Sequence, residues 1–164
     1  MNDKVYELGI EAVALLKENN MTVATAESCT GGLVSSYITA VPGTSSVFEL
    51  GVASYSCRIK HKILGVEEQT LEGLGAVSCE TAKQMAVNVR ALADSSIGVS
   101  VTGVAGPDGS EGHAPGLVYI AAAYDGGVCV KKLNIEPRSR NYVRETAVYE
   151  IFKLIIEIIG EVKK

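Results

Sequence analysis

The chain has 164 residues, 47% of them hydrophobic and 21% charged, a balance that supports one real core and sets it apart from disordered or fibrous classes. A net charge of -4, no tryptophan and only two phenylalanines argue against nucleic acid as the partner, because phosphate contacts need clustered cations and single strands need stacking platforms. No apolar run reaches the roughly 18 residues that span a bilayer, and the opening Met1-Asn2-Asp3-Lys4 lacks a signal-peptide pattern. Cys29, Cys57, Cys79 and Cys129 show neither C-x-x-C spacing nor metal spacing with His61 and His113, so they read as reduced thiols of a cytoplasmic protein with no metal centre.

Residues 3–19 space Val5, Leu8, Ile10, Ala12, Val13, Leu15 and Leu16 as an amphipathic helix ending at Asn19-Asn20. Residues 21–27 read as a buried strand and residues 30–41 as a second helix, stopped by Val41-Pro42-Gly43. Between them lies the octet Thr25-Ala26-Glu27-Ser28-Cys29-Thr30-Gly31-Gly32, where a strand ends and a helix begins. Free N–H groups at such a start favour an oxyanion or phosphate, and Gly31-Gly32 allow close approach. Ser28 and Thr30 serve there either as functional hydroxyls or as helix caps.

Phe48 to Tyr55 reads as a second strand. Ser56 to Leu64 is a short helix carrying Arg58, Lys60, His61 and Lys62, the densest basic spot in the chain, and charge alone reads it as a solvated face. Residues 66–70 read as loop or a short helical turn. Ser78 caps a helix that runs to Ala93, and residues 95–102 form a third strand. That strand ends in a second glycine-rich loop, Thr102-Gly103-Val104-Ala105-Gly106-Pro107-Asp108-Gly109. Neither glycine loop is G-x-G-x-x-G or a Walker sequence, so neither points to NAD or ATP. Gly116–Tyr124 and Val128–Ile135 pair across the turn Asp125-Gly126-Gly127 as a hairpin, which makes the sheet mixed. A closing helix spans residues 138–160, with Arg140 and Arg144 on one face; these either clamp a phosphate together or join surface salt bridges with Glu136 or Glu145. The order of elements predicts one α/β domain over residues 1–164, with three α/β/α layers and a mixed sheet of about five strands. Ligands of such sheets sit at the carboxyl ends of strands, where both glycine loops fall.

The octet, then Tyr55-Ser56 with Lys60 and Leu64-Gly65-Val66, resembles the C-terminal domain of the CinA family. Gly75-Ala76-Val77-Ser78, the loop Val101 to Gly109 and Arg140-Asn141-Tyr142-Val143-Arg144 extend the resemblance over nearly the whole chain. The resemblance implies a nicotinamide-nucleotide amidase, which hydrolyses nicotinamide mononucleotide to nicotinic acid mononucleotide and ammonia, without a cofactor, in pyridine-nucleotide recycling. It also implies Ser/Lys chemistry, which suits a chain with two histidines. Ser28 is then the nucleophile and Lys60 its base, provided burial lowers the amine's pKa. Tyr55 relays the proton or bonds the tetrahedral intermediate, and N–H groups near Thr30-Gly31-Gly32 form the oxyanion hole. Glu27 binds ribose hydroxyls or pairs with a cation. Thr102, Gly103 and Gly106, with Arg140 or Arg144, hold the nucleotide phosphate. Cys57-Arg58-Ile59 stands where the family tends to have Asn-Glu-Ala, and His113-Ala114-Pro115 where a Lys-Pro segment is usual. The alternative is a nucleotide-binding or scaffold module of the same fold without turnover. The apolar stretch Ile151 to Ile159 looks too large for one core and predicts a homo-oligomer.

Overall fold

The computed structural model describes residues 2–162. Helix α1 (Asp3–Glu18) starts at Asn2, whose side chain accepts the N–H groups of Lys4 and Val5, and strand β1 (Val23–Glu27) follows. Helix α2 (Leu33–Thr39), a 3-10 turn at Thr44–Ser46 and β2 (Phe48–Ala53) come next. Helices α3 (Cys57–Leu64), α4 (Glu68–Gly73) and α5 (Cys79–Ala93) lead into β3 (Ile97–Gly103). The hairpin β4 (Leu117–Tyr124) and β5 (Gly127–Asn134) precedes α6 (Arg140–Val162). The sheet runs β2-β1-β3-β4-β5, with β2, β1 and β3 parallel and the last two strands antiparallel. This is the three-layer α/β/α fold with a five-stranded mixed sheet that the element order predicts. Residues 66–70, read as loop or a short helical turn, lead into a helix that runs on to Gly73, α4, whose few apolar residues hide its length from a periodicity test.

Alternation along the strands decides the layers. Val23, Val99, Val101, Val118 and Ile120 join the larger core with α1, α2 and α6. Ala24, Ala26, Ala121 and Ala123 face α5 on the other side. Small side chains there let α5 lie close to the sheet, and at Gly98 a Cβ would sit 2.3 Å from the Ala86 carbonyl oxygen. Burial along α6 corrects one expectation. Ile151, Phe152, Leu154, Ile155, Ile158 and Ile159 are all buried within this chain, so the stretch that reads as too apolar for one core is covered by it and supplies no self-association surface.

The chain crosses from β1 out to β2 by way of α2 on one face, then returns past β1 to β3 by way of α5 on the other. A crevice opens where neighbouring strands send their connections to opposite faces. The carboxyl ends of β1 and β2, with β3 alongside, therefore frame the candidate site.

Candidate active site

Ser28 is the first residue beyond β1, held there by its N–H bond to the Val101 carbonyl of β3 at 2.9 Å. Gly31 and Gly32, at φ +59° and +95°, then turn the chain into α2, a conformation a side chain would strain. Lys60 comes from the neighbouring strand's connection. Ser56 caps α3 by accepting the Ile59 N–H, and the first turn of α3 points Lys60 inward together with Leu64. Lys60 is fully buried, whereas Arg58, His61 and Lys62 on the same helix face solvent. The basic spot thus splits: three of its members form the solvated face that charge predicts, and one does not.

The Lys60 Nζ lies 2.8 Å from Ser28 Oγ and donates to the Ser54 carbonyl at 2.7 Å. Burial lowers the pKa of this amine below its ordinary value, against smaller opposing effects of Cys57, Cys29 and Glu111. Its neutral form is therefore easier to reach than that of a solvated lysine. Fixing one N–H on the Ser54 carbonyl leaves the amine's lone pair free for the serine proton. Ser54 is a positioning residue that motif reading passes over, because a backbone carbonyl has no sequence signature. Arg58, standing where the family tends to carry an acid, is exposed and makes no contact with this amine, which rests on a carbonyl rather than a carboxylate. Cys29 is buried and burial pushes its thiol up to about 11, which keeps it protonated and removes it as a rival nucleophile.

Ser28 and Lys60 open onto a cavity of about 300 Å³, also lined by Tyr55, Thr102, Gly103, Gly106 and Arg140. Asp108, Ser110 and Glu111 complete its wall, although composition and spacing do not single them out. They come from the loop between β3 and β4, where only the fold shows which side chains turn toward β1.

Five expectations change. Glu27 is 1% exposed, and its carboxylate accepts N–H groups of Gly32, Val34 and Ser35 at 2.9–3.0 Å and the Ser35 hydroxyl at 2.8 Å. It closes the start of α2 and has nothing left for ribose. For the same reason the α2 N-terminus is not an anion site. Gly31 donates to the Ser28 carbonyl and Gly32 to Glu27, so neither glycine N–H serves an oxyanion. The N–H groups of Cys29 and Thr30 donate to no other residue among those described, and they are the donors left next to Ser28. Tyr55 is exposed, and its hydroxyl accepts from Arg140 at 2.7 Å rather than meeting Ser28 or Lys60, so it stands at the cavity mouth and relays no proton. The Thr102 hydroxyl donates to the Ala76 carbonyl at 2.7 Å, bracing the neighbouring loop instead of presenting its proton to a phosphate.

The two arginines also part. Arg140 bonds the Gly106 carbonyl and Tyr55 and lines the cavity; Arg144 donates to the Thr30 carbonyl at 2.7 Å and lies outside the lining. A shared clamp is excluded, and so are salt bridges to Glu136 or Glu145: Glu136 pairs with Arg138, and Glu145 accepts from Tyr37.

Residues 6–159 match the CinA C-terminal domain family. A competence-damage inducible protein of Acetivibrio thermocellus is 46% identical over 158 residues, covering 96% of this chain and 38% of the relative. The chain thus spans about two fifths of that relative's length. The crystal structure of the competence/damage inducible protein CihA from Agrobacterium tumefaciens superposes with a TM-score of 0.92 at 33% identity, covering 96% of each chain. That of a CinA superfamily protein from Klebsiella pneumoniae gives 0.93 at 27% identity, covering 98% of this chain and 99% of that one. Match, identity and coverage agree that this chain belongs to the CinA C-terminal domain family.

Proposed function

We propose that this protein is a cytoplasmic amidase that hydrolyses the carboxamide of nicotinamide mononucleotide to nicotinic acid mononucleotide and ammonia. The observation that carries this reading is the buried Lys60 amine 2.8 Å from Ser28 Oγ at the inner end of a cavity. A fully buried lysine without a carboxylate partner is costly, and a depressed amine beside a hydroxyl is what a general base requires. Lys60 takes the Ser28 proton as Oγ attacks the carboxamide carbon. The N–H groups of Cys29 and Thr30 receive the developing oxyanion, each donor contributing roughly 3 kcal/mol to the transition state. The Lys60 ammonium then returns its proton to the departing nitrogen, and ammonia leaves an ester on Ser28. Water, deprotonated by the same amine, opens the ester to the acid product. Arg140 is the cation at the cavity wall, and it would exchange its bond to Tyr55 for the substrate phosphate.

The test is to incubate purified protein with nicotinamide mononucleotide and to measure ammonia and the acid product. Stoichiometric release of both supports the amidase. Binding without product returns the chain to the alternative, a nucleotide-binding module.

A further inference from the structure

The cavity wall carries charges that the reaction itself does not use. Asp108 and Glu111 both line it, and neither is ion-paired among the described residues. Arg140 and the buried Lys60 amine are the basic groups of the lining, set against two carboxyl groups. Arg140 stands at the mouth, joined to Gly106 and Tyr55. Glu111 is built into position. It occupies a two-residue turn, with φ +52° at Glu111 and +76° at Gly112, closed by reciprocal backbone bonds between Ser110 and His113 at 3.1 and 2.9 Å. A left-handed backbone at a glutamate is uncommon. One of its oxygens, Oε2, accepts the Val77 N–H at 3.2 Å, and the other has no partner among the described residues. The charge is close enough to Lys60 to act on its titration. Glu111 is itself exposed to solvent, and it shares the cavity with Ser28, Lys60 and the Arg140 guanidinium, a lining that fits a ligand carrying both a positive and a negative group.

Resting on the amidase reading above, we propose that Glu111 recognises the positive charge of the pyridinium ring, so that the site selects N-ribosylated, cationic nicotinamide over uncharged carboxamides. The ring nitrogen of such a substrate is meta to the carboxamide, which keeps the cation beside the reacting carbon. Ribosylation makes the ring cationic; free nicotinamide is neutral and gains nothing from Glu111.

The test uses the Ser28→Ala protein, in which binding is read without turnover. Nicotinamide mononucleotide and its 1,4-dihydro form share carboxamide, ribose and phosphate and differ in ring charge. Calorimetric titration should show the oxidised form binding about fivefold more tightly, the order expected of a partly exposed charge pair. Adding Glu111→Gln should weaken the oxidised form by about that factor, leave the dihydro form within twofold, and bring the ratio close to one. An equal loss for both forms would assign Glu111 to ribose or to bracing the loop, and an unchanged ratio would remove it from recognition; either overturns the proposal. Should Glu111→Gln lower the melting temperature, the unsubstituted protein decides. There the N-methylnicotinamide cation must inhibit more strongly than nicotinamide, with the gap closing as salt is added, and equal inhibition overturns the proposal. Ammonia release by the unsubstituted protein is a separate reading. Its absence with a charge-dependent ratio rejects the amidase and keeps the recognition, its presence with a flat ratio does the opposite, and no binding of either nucleotide rejects both.

Discussion

The loops that follow β1 and β3 look alike in sequence, each a hydroxyl followed by glycines at a strand end, and the structure gives them opposite tasks. The first is sealed: Glu27 fills the start of α2, Gly31 bonds back to Ser28, and what remains is a fixed serine with two free N–H groups beside it. The second is open. Thr102 braces Ala76, while Gly103, Gly106 and the residues to Glu111 line the cavity. Glycine-rich composition says that a backbone turns; which N–H groups stay free depends on whether a nearby carboxylate takes them. The first loop is tied down by its own carboxylate and backbone, and the second keeps several side chains along the cavity.

The strongest way to break this division is at the serine of the sealed loop and the lysine of α3 that reaches it. Ser28→Ala and Lys60→Met should each lower ammonia release by at least about a thousandfold while leaving the circular dichroism spectrum unchanged. Full activity in either would take that residue out of the mechanism. Glu27→Ala should next cost about 2–3 kcal/mol in denaturant unfolding, because three backbone N–H groups lose their acceptor. If stability survives, the carboxylate does not hold the loop.

Lys60 sharpens the comparison through pH. Its folded pKa is lowered by burial, so between the folded and unfolded values the unfolded chain binds more protons, and stability rises with pH across that window. The acid limb of kcat should rise through the same folded value. Lys60→Met should flatten this part of the stability profile, which thermal melts at stepped pH would read. At the open loop effects are smaller. Arg140→Ala should raise KM about tenfold with little change in kcat. Arg144→Ala should mainly lower stability, by about 1 kcal/mol, since it holds the Thr30 carbonyl rather than a ligand. Steady-state kinetics and melts on the two variants separate these roles.

Most of the architecture was legible in the residues because alternation and helical spacing are local signals. Lys60 is the instructive exception among the helices: charge pattern reads Arg58 to Lys62 as one exposed face, and only the four-residue spacing to Leu64 betrays that the lysine shares the buried side. Ser28 was legible by its place between strand and glycines. Glu27, in the same octet, was misread because a carboxylate beside a nucleophile suggests a ligand contact, while its acceptors' partners lie five to eight residues ahead and meet it only after the turn forms. Glu111 and Ser54 carry no motif, and they come near Ser28 and Lys60 only once separate strand ends meet.

Arg140 and Arg144 have a consequence beyond their separate bonds. One grips the Gly106 carbonyl and the other the Thr30 carbonyl, so the opening turns of α6 splint the two strand-end loops to a single rod. Four residues of helix advance about 6 Å, which separates the two points of attachment along the rod. An extra residue inserted between them would swing one guanidinium about 100° off its loop. The spacing of the two strand-end loops is thereby tied to the register of one helix.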